Sequence, residues 1–306
     1  MISVIVPCFN EEEAIPYFYD AMEVVRRKMR EQFEYIFVND GSKDGTLKVL
    51  RQLAAEGNGV RYISFSRNFG KEAALYAGLQ AAQGELVTVM DVDLQDPPEM
   101  LTQMKAILDA NPELDCVGTR RVSRDGEPPI RSFFAKLFYK LMNKISQVEV
   151  VDGARDFRLM RRHMVDAILS VSEYNRFSKG IFTWVGFETE YLPYENVKRV
   201  AGETSWSFWK LLSYSIEGII NFSDTPLNIA SYTGFFTFLL SLVLMVVVVF
   251  KTLVFGDPTI GWPSTICIIL FLGGLQLMTI GILGKYLAKV FLETKHRPVY
   301  IIKEKK

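Results

Sequence analysis

Two apolar stretches near the C-terminus constrain this chain more than any other part of it. "IASYTGFFTFLLSLVLMVVVVFKTLVFG" (229–256) and "GWPSTICIILFLGGLQLMTIGILGKYLAKVF" (261–291) each hold an apolar run of about 20 residues, enough to cross a bilayer. The first carries one charge, Lys251, close enough to its end to snorkel. Two buried core helices are the alternative, but runs such as "LLSLVLMVVVVF" continue without polar relief. The connecting "FGDPTIGWPS" has no Lys or Arg, whereas "GKYLAKVFLETKHRPVYIIKEKK" is strongly basic. The positive-inside rule then places both ends in the cytoplasm and the short loop outside. The expected organisation is a cytoplasmic domain over 1–206, a juxtamembrane amphipathic helix and linker over 207–228, a two-helix transmembrane hairpin over 229–291 and a basic cytoplasmic tail over 292–306. The membrane is expected to be the inner or plasma membrane.

The first 120 residues alternate strand and helix signals. "ISVIVPCF", "EYIFVND", "VRYISFS", "ELVTVMDVD" and "LDCVGTR" are short apolar β-rich runs. Amphipathic helical stretches at 13–31, 44–56, 71–83 and 98–110 separate them. Near-continuous apolar strands between helices predict an α/β domain with a mostly parallel sheet covered on both faces. Ligands bind such sheets at the carboxyl ends of the strands, and four polar clusters fall there: "PCFNEEE", "NDGSKDGT", "SRNFGK" and "DVDLQD".

Other chemistries are excluded by what the chain lacks. Its formal net charge is zero, which gives no basis for wholesale nucleic-acid binding. His163 and His296 are its only histidines, too few for a histidine-based zinc site. Cys8, Cys116 and Cys267 lie in or beside apolar runs and read as buried, reduced thiols. The N-terminus lacks the basic start and cleavage site of a signal peptide. No G-x-G-x-x-G follows the first strand and no P-loop is present.

The fourth cluster carries the most chemistry. Asp91, Asp93, Gln95 and Asp96 fall within "DVDLQD", where like carboxylates must either face water in a tight turn or hold a cation. If the strand continues, Asp91 and Asp93 point the same way and Gln95 extends that face. Two carboxylates and an amide oxygen are hard donors suited to Mg²⁺ or Mn²⁺. Asp96 reads instead as an N-cap, with Pro97 and Pro98 in the first helical turn. In "VNDGSKDGT", Gly41 and Gly45 permit positive φ and Asp44 or Ser42 can cap the next helix. Asp40 is left at the strand end, open to hydrogen bonds from a base or ribose. In "PCFNEEE", Asn10 is a natural cap and Glu11 and Glu12 suit a first turn. "RSFFAKLFYKLMNKIS" (131–146) sets an aromatic face against a lysine fringe, which suits a helix in the headgroup layer as well as an ordinary packed helix. "SFWKLLSYSIEGIINFS" (207–223) leads into the first apolar stretch in similar style.

"VIVPCFNEEE", "VNDGSKDGT", "MDVDLQDPPE", "GARDFRLMRR" and "RVAGETSW", in this order and followed by two apolar spans, resemble the polyisoprenyl-phosphate glycosyltransferases. The likeness is to bactoprenol glucosyltransferases and, more distantly, to dolichol-phosphate mannose synthases, inverting enzymes of glycosyltransferase family 2 with the GT-A fold. It covers essentially the whole chain. It implies a nucleotide-sugar donor, a divalent metal and a polyprenyl-phosphate acceptor at the membrane surface. By the same resemblance, Pro7, Asn10, Glu11 and Asp40 match nucleoside-holding positions. Asp91, Asp93 and Gln95 match the metal and diphosphate motif, and Arg199 a phosphate contact, with Gly202 allowing a close turn. Arg120, Arg131 and Arg158 are candidates for the acceptor phosphate, since a guanidinium presents fixed paired donors. Asp156 matches the catalytic aspartate. A phosphate monoester has its second pKa near about 6, so little proton abstraction is needed, and Asp156 acts either as a base or by orienting Arg158 or the acceptor. Asn39 stands where many relatives carry Asp, and Ser205–Trp206 where Lys–Tyr is frequent.

Two rivals remain. A processive polysaccharide synthase shares the core but carries a Gln-x-x-Arg-Trp motif, absent here. A non-catalytic membrane sugar-nucleotide sensor or scaffold would not require Asp91, Asp93 and Asp156. Small residues in "FLGGLQ" and "GILG" leave a homo-oligomer open.

Overall fold

Strand β1 (Ile2–Cys8) is buried at every position but Pro7, and β2 (Phe33–Asn39) at every position. That is why both read as unbroken apolar runs: helices cover the sheet on both sides. A computed structural model of the chain describes residues 1–57, 59–122, 143, 151, 153–195, 219–255 and 261–306. The elements follow in the order β1, α1 (Ala14–Met29), β2, α2 (Thr46–Ala55), β3 (Val60–Phe65), α3 (Lys71–Ala81), β4 (Leu86–Val89), α4 (Met100–Ala110) and β5 (Cys116–Arg121). Next come β6 (Ala154–Arg161), α5 (Arg162–Ser170), α6 (Ser178–Trp184), β7 (Thr189–Tyr194), α7 (Thr225–Phe255), α8 (Trp262–Thr294) and β8 (Ile302–Lys305).

The strands form one sheet in the order β7-β5-β6-β4-β1-β2-β3-β8. β1 pairs in parallel with β2 and β4, β2 with β3, and β5 with β7. β6 runs antiparallel between β4 and β5, and β8 antiparallel along β3. The sheet is therefore mixed: β6 and β8 run against the other strands, which share one direction. β8 reaches the outer edge of β3 from the far end of the chain, after α8.

One core lies between the sheet and α1, α2 and α4, built on Phe18, Met22, Phe37, Leu50, Leu101 and Leu108. Each such full burial contributes about 1.5–3 kcal/mol of transfer free energy. The other lies against α3, α5 and α6 and includes Ala74, Leu79, Val165, Ile168 and Phe182. α3 rides close to β1 because Gly78 has no side chain; a Cβ there would meet Ile5 Cγ2 at 2.2 Å. Cys8 and Cys116 are free and buried.

α7 (31 residues) and α8 (33 residues) touch each other and expose Phe236, Leu253, Phe271 and Leu277. Among the described residues one stretch, Phe271–Thr294, is long and apolar enough to cross a membrane by length and composition. Two long helices stand where the hairpin is expected, but with one candidate span among the described residues the two-helix transmembrane hairpin is not established. The basic C-terminal segment is more than a tail. After α8, Tyr300 stacks on Phe65 with ring centroids 4.8 Å apart. β8 then pairs along β3, and Glu304 takes a bidentate contact from Arg51 (2.7 and 2.5 Å) and a hydrogen bond from the Tyr62 hydroxyl at 2.6 Å. The helix expected at 131–146, Arg131, Arg199, Gly202, Ser205 and Trp206 lie outside the described residues, apart from Asn143.

Candidate active site

The parallel register of β1, β2, β3 and β4 brings their carboxyl ends to one edge, and the loops there are tied to one another. Asn10, at φ 57, donates its N–H to Ser42 Oγ and accepts from the Lys43 N–H through Oδ1, both at 2.9 Å. The Glu11 N–H donates to Thr46 Oγ1 at 2.9 Å, and the Glu12 carboxylate takes the Gly45 N–H. Asn10 is therefore a bridge between loops, not the cap of α1, which starts at Ala14 without a side-chain cap. The N-cap position of α2 falls on Gly45, without a side-chain cap; Asp44, just before it, accepts the Thr46 N–H at 3.1 Å. Gly41 has φ +67, and a Cβ there would lie 2.3 Å from the Arg67 carbonyl carbon. Gly45, by contrast, has φ −75 and needs no left-handed freedom. Pro7 sits half-buried at the end of β1, opposite Val38.

Asp40 is 4% exposed and accepts the N–H groups of Phe69 (2.6 Å) and Gly70 (2.9 Å). Burial pushes its carboxyl pKa up, and the two backbone donors work against that shift. Both oxygens already serve the loop that starts α3. The strand-end aspartate expected for a nucleoside therefore also positions the next loop.

β4 ends at Val89, so Asp91 and Asp93 do not share the face of an extended strand. They lie on a turn in which Leu94 takes φ 55 and Asp93 Oδ1 accepts the Gln95 N–H at 3.2 Å. Asp96 is not a helix cap either; α4 begins at Met100 after Glu99. Instead Asp96 is 3% exposed, taking Arg155 Nε at 3.1 Å and the Tyr194 hydroxyl. That pins the acidic turn to β6 and β7.

The antiparallel register pairs Val89, the last residue of β4, with Arg158; beyond that pair lie Asp91 on the turn and Asp156 on β6. Lys71, the first residue of α3, fills the space between them: Nζ lies 2.6 Å from Asp91 Oδ1 and 2.7 Å from Asp156 Oδ2. Burial opposes ionisation of Asp156, but Lys71, Lys179 and Arg158 outweigh it and hold its carboxyl well below the usual range. The partner of Asp156 is thus Lys71, and no hydrogen bond joins Asp156 to Arg158. Arg158 is 3% exposed, with its guanidinium 3.7 Å over the Phe182 ring and Nη2 donating to the Arg155 carbonyl at 3.1 Å. It is buried between the sheet and α6. Arg120 is exposed near the end of β5, opposite Ala154 of β6.

Lys71 belongs to "SRNFGK", noted above only as a polar cluster; its two partners lie 20 and 85 positions away and no local pattern announces them. Among the described residues no three His, Cys, Asp or Glu side chains group as a metal centre. Asp91, Asp93 and Gln95 still fit a hard divalent ion by their donor chemistry: carboxylate and amide oxygens on one turn, with an ammonium already drawn to Asp91. Such ions commonly keep few protein ligands and complete their shell with water and substrate phosphates.

A mixed sheet of this order, with an acidic turn at the carboxyl end of β4 and loops interlocked along the same edge, is the GT-A arrangement. A mannosyltransferase from Pyrobaculum calidifontis, solved in complex with GDP-Man and Mn2+, shares the fold with TM-score 0.51 at 18% identity, over 94% of this chain and 86% of that one. The description "Glycosyl transferase family 2" matches residues 3–169. A bactoprenol glucosyl transferase of Shigella phage SfV is 44% identical over 305 residues, spanning 100% of this chain and 99% of that protein. A prophage bactoprenol glucosyl transferase homolog of Escherichia coli strain K12 is 42% identical over 305 residues, with 100% and 99% covered. The chain belongs to glycosyltransferase family 2, and it is a glycosyltransferase.

Proposed function

We propose that this enzyme transfers a sugar from a nucleotide-sugar donor, a UDP-linked hexose or N-acetylhexosamine, to polyprenyl phosphate at the cytoplasmic face of the membrane. The observation that carries the reading is end-to-end similarity to proteins named bactoprenol glucosyl transferase, C-terminal helices included. In this reading α7 and α8 are the membrane hairpin, with the catalytic domain and both termini in the cytoplasm, and segments 131–146 and 207–228 rest on the headgroups. A long polyprenyl tail leaves the bilayer only at great cost, so the site must come to the phosphate.

The donor nucleoside lies along Pro7, Asn10, Glu11 and Asp40, whose loops are already interlocked and lose little freedom on binding. A phosphate oxygen of the lipid forms the new bond to the anomeric carbon as the bond to the nucleotide diphosphate breaks, inverting the configuration. A Mg²⁺ or Mn²⁺ ion held by Asp91, Asp93 and Gln95 supplies positive charge for the leaving diphosphate. Arg199 adds to that charge, and Arg120 and Arg131 approach the acceptor phosphate. Asp156, paired to Lys71, is a carboxylate that orients its neighbours; the acceptor phosphate, largely deprotonated with its second pKa near about 6, needs no base.

The test uses purified full-length protein in nanodiscs with undecaprenyl phosphate and Mn²⁺, offered a panel of radiolabelled UDP- and GDP-sugars. Label should enter the lipid fraction from one donor and be lost with Asp93→Asn. Nucleotide binding without lipid labelling from any donor would replace the enzyme reading with a sugar-nucleotide sensor.

A further inference from the structure

Lys71 touches both acidic positions of the site, and its placement is built into the fold. Asp40 accepts the N–H groups of Phe69 and Gly70, and Gly70 takes φ +99. These contacts fix where α3 begins, and Gly78 lets the same helix seat closely on β1. The first side chain of α3 is thereby carried across the sheet edge to Asp91 at 2.6 Å and Asp156 at 2.7 Å. Its side chain is 41% exposed, against 29% for Asp91 and 17% for Asp156. Of the three side chains Lys71 is thus the most exposed and Asp156 the most enclosed.

We propose that Lys71 is a place-holding cation. Without donor it bridges Asp91 and Asp156, offsetting one of their two charges, and competes with the divalent ion for Asp91. When ion and donor enter, it gives up Asp91, keeps Asp156 and turns its freed donors toward the anionic diphosphate. The inference rests on the reading that Asp91 and Asp93 hold a divalent ion. Two cations against one carboxylate repel each other unless an anion arrives with the second, so ion and nucleotide diphosphate bind as a unit. Lys71 is in this sense a positioning residue that couples donor binding to metal binding.

The experiment is a Mn²⁺ titration of the full-length protein in detergent, following the electron paramagnetic resonance signal of free Mn²⁺ with and without UDP or GDP. Wild type, Lys71→Met, Lys71→Arg and Asp93→Asn are compared after thermal melts confirm folding. Removing a unit positive charge from beside a divalent ion should tighten binding of Mn²⁺ alone by about tenfold or more in Lys71→Met. Lys71→Arg, which keeps the charge, should stay within about twofold of wild type. The tightening that the nucleotide produces in wild type should shrink in Lys71→Met. Equal or weaker binding of Mn²⁺ alone by Lys71→Met, with Asp93→Asn defective, overturns the role of Lys71 and leaves the metal reading standing. Asp93→Asn indistinguishable from wild type under every condition removes the metal reading, and the place-holder with it.

Discussion

Truncating Asp96 to alanine tests whether the acidic turn is held by a buried ion pair. Asp96 is 3% exposed and receives Arg155 Nε at 3.1 Å and the Tyr194 hydroxyl. Asp96→Ala strands a guanidinium and a phenol together. Breaking a fully buried pair costs about 3–5 kcal/mol, because the surviving charge is left unpaired. The Arg155 side chain keeps 26% exposure, so water recovers part of this and the expected cost is about 2–3 kcal/mol. For a domain of this size that lowers the thermal midpoint by about 4–12 °C, read by intrinsic fluorescence on the detergent-solubilised protein. Adding Arg155→Met to Asp96→Ala removes the stranded charge and should regain at least about 1 kcal/mol over Asp96→Ala alone. Simple additivity of the two losses, or an Asp96→Ala protein that melts with wild type, would refute the account.

Two further predictions concern charge. Asp156 is held ionised by Lys71, Lys179 and Arg158 against its burial. Asp156→Asn should therefore slow turnover while the pH–rate profile between about pH 6 and 8 keeps its shape; loss of one limb would establish a general base. Glu304 is held down at about 2 by hydrogen bonds from Arg51 and Tyr62. A depressed carboxyl stabilises the docked strand above the ordinary carboxylate pKa and loses that contribution as pH falls toward 2. Protection factors of the β8 amides, taken relative to intrinsic exchange at each pH, should fall between about pH 5 and 2.5 in wild type, and Glu304→Gln should show weaker protection with little change over that range. Equal acid sensitivity in both proteins would exclude Glu304 as the cause.

The sequence made β1 to β5 legible because strands covered on both faces leave near-continuous apolar runs. β6 left no such trace: "ARDFRLMR" interleaves buried Phe157, Leu159 and Met160 with Arg155, Asp156 and Arg158, and the charges of Arg155 and Asp156 are met by Asp96 and Lys71, far away in sequence. β8 is four residues long and mostly charged, a pattern that reads as tail until an edge strand is there to receive it. The acidic cluster was rightly placed at a strand end but wrongly given extended geometry, since β4 stops at Val89 and Leu94 turns left-handed. Asp96 looked like a cap because Asp before Pro-Pro usually is one; a guanidinium and a phenol from β6 and β7 claimed it instead.

The helix pair has two fastenings, and β8 is one of them. The chain leaves the catalytic domain just before α7, where the Tyr286 hydroxyl of α8 donates to the Ser223 carbonyl at 2.7 Å. It returns after α8 to the sheet edge, where the Lys306 and Tyr62 backbones exchange hydrogen bonds at 3.0 and 3.2 Å and Lys306 Nζ donates to the Ala54 carbonyl at 2.7 Å. Attachment at both ends of the helix pair leaves the domain less freedom to turn than a single stalk would. The acidic edge is thereby kept at a set bearing relative to the helices, and a label or fusion added after Lys306 starts from the edge of the sheet, not from a loose end.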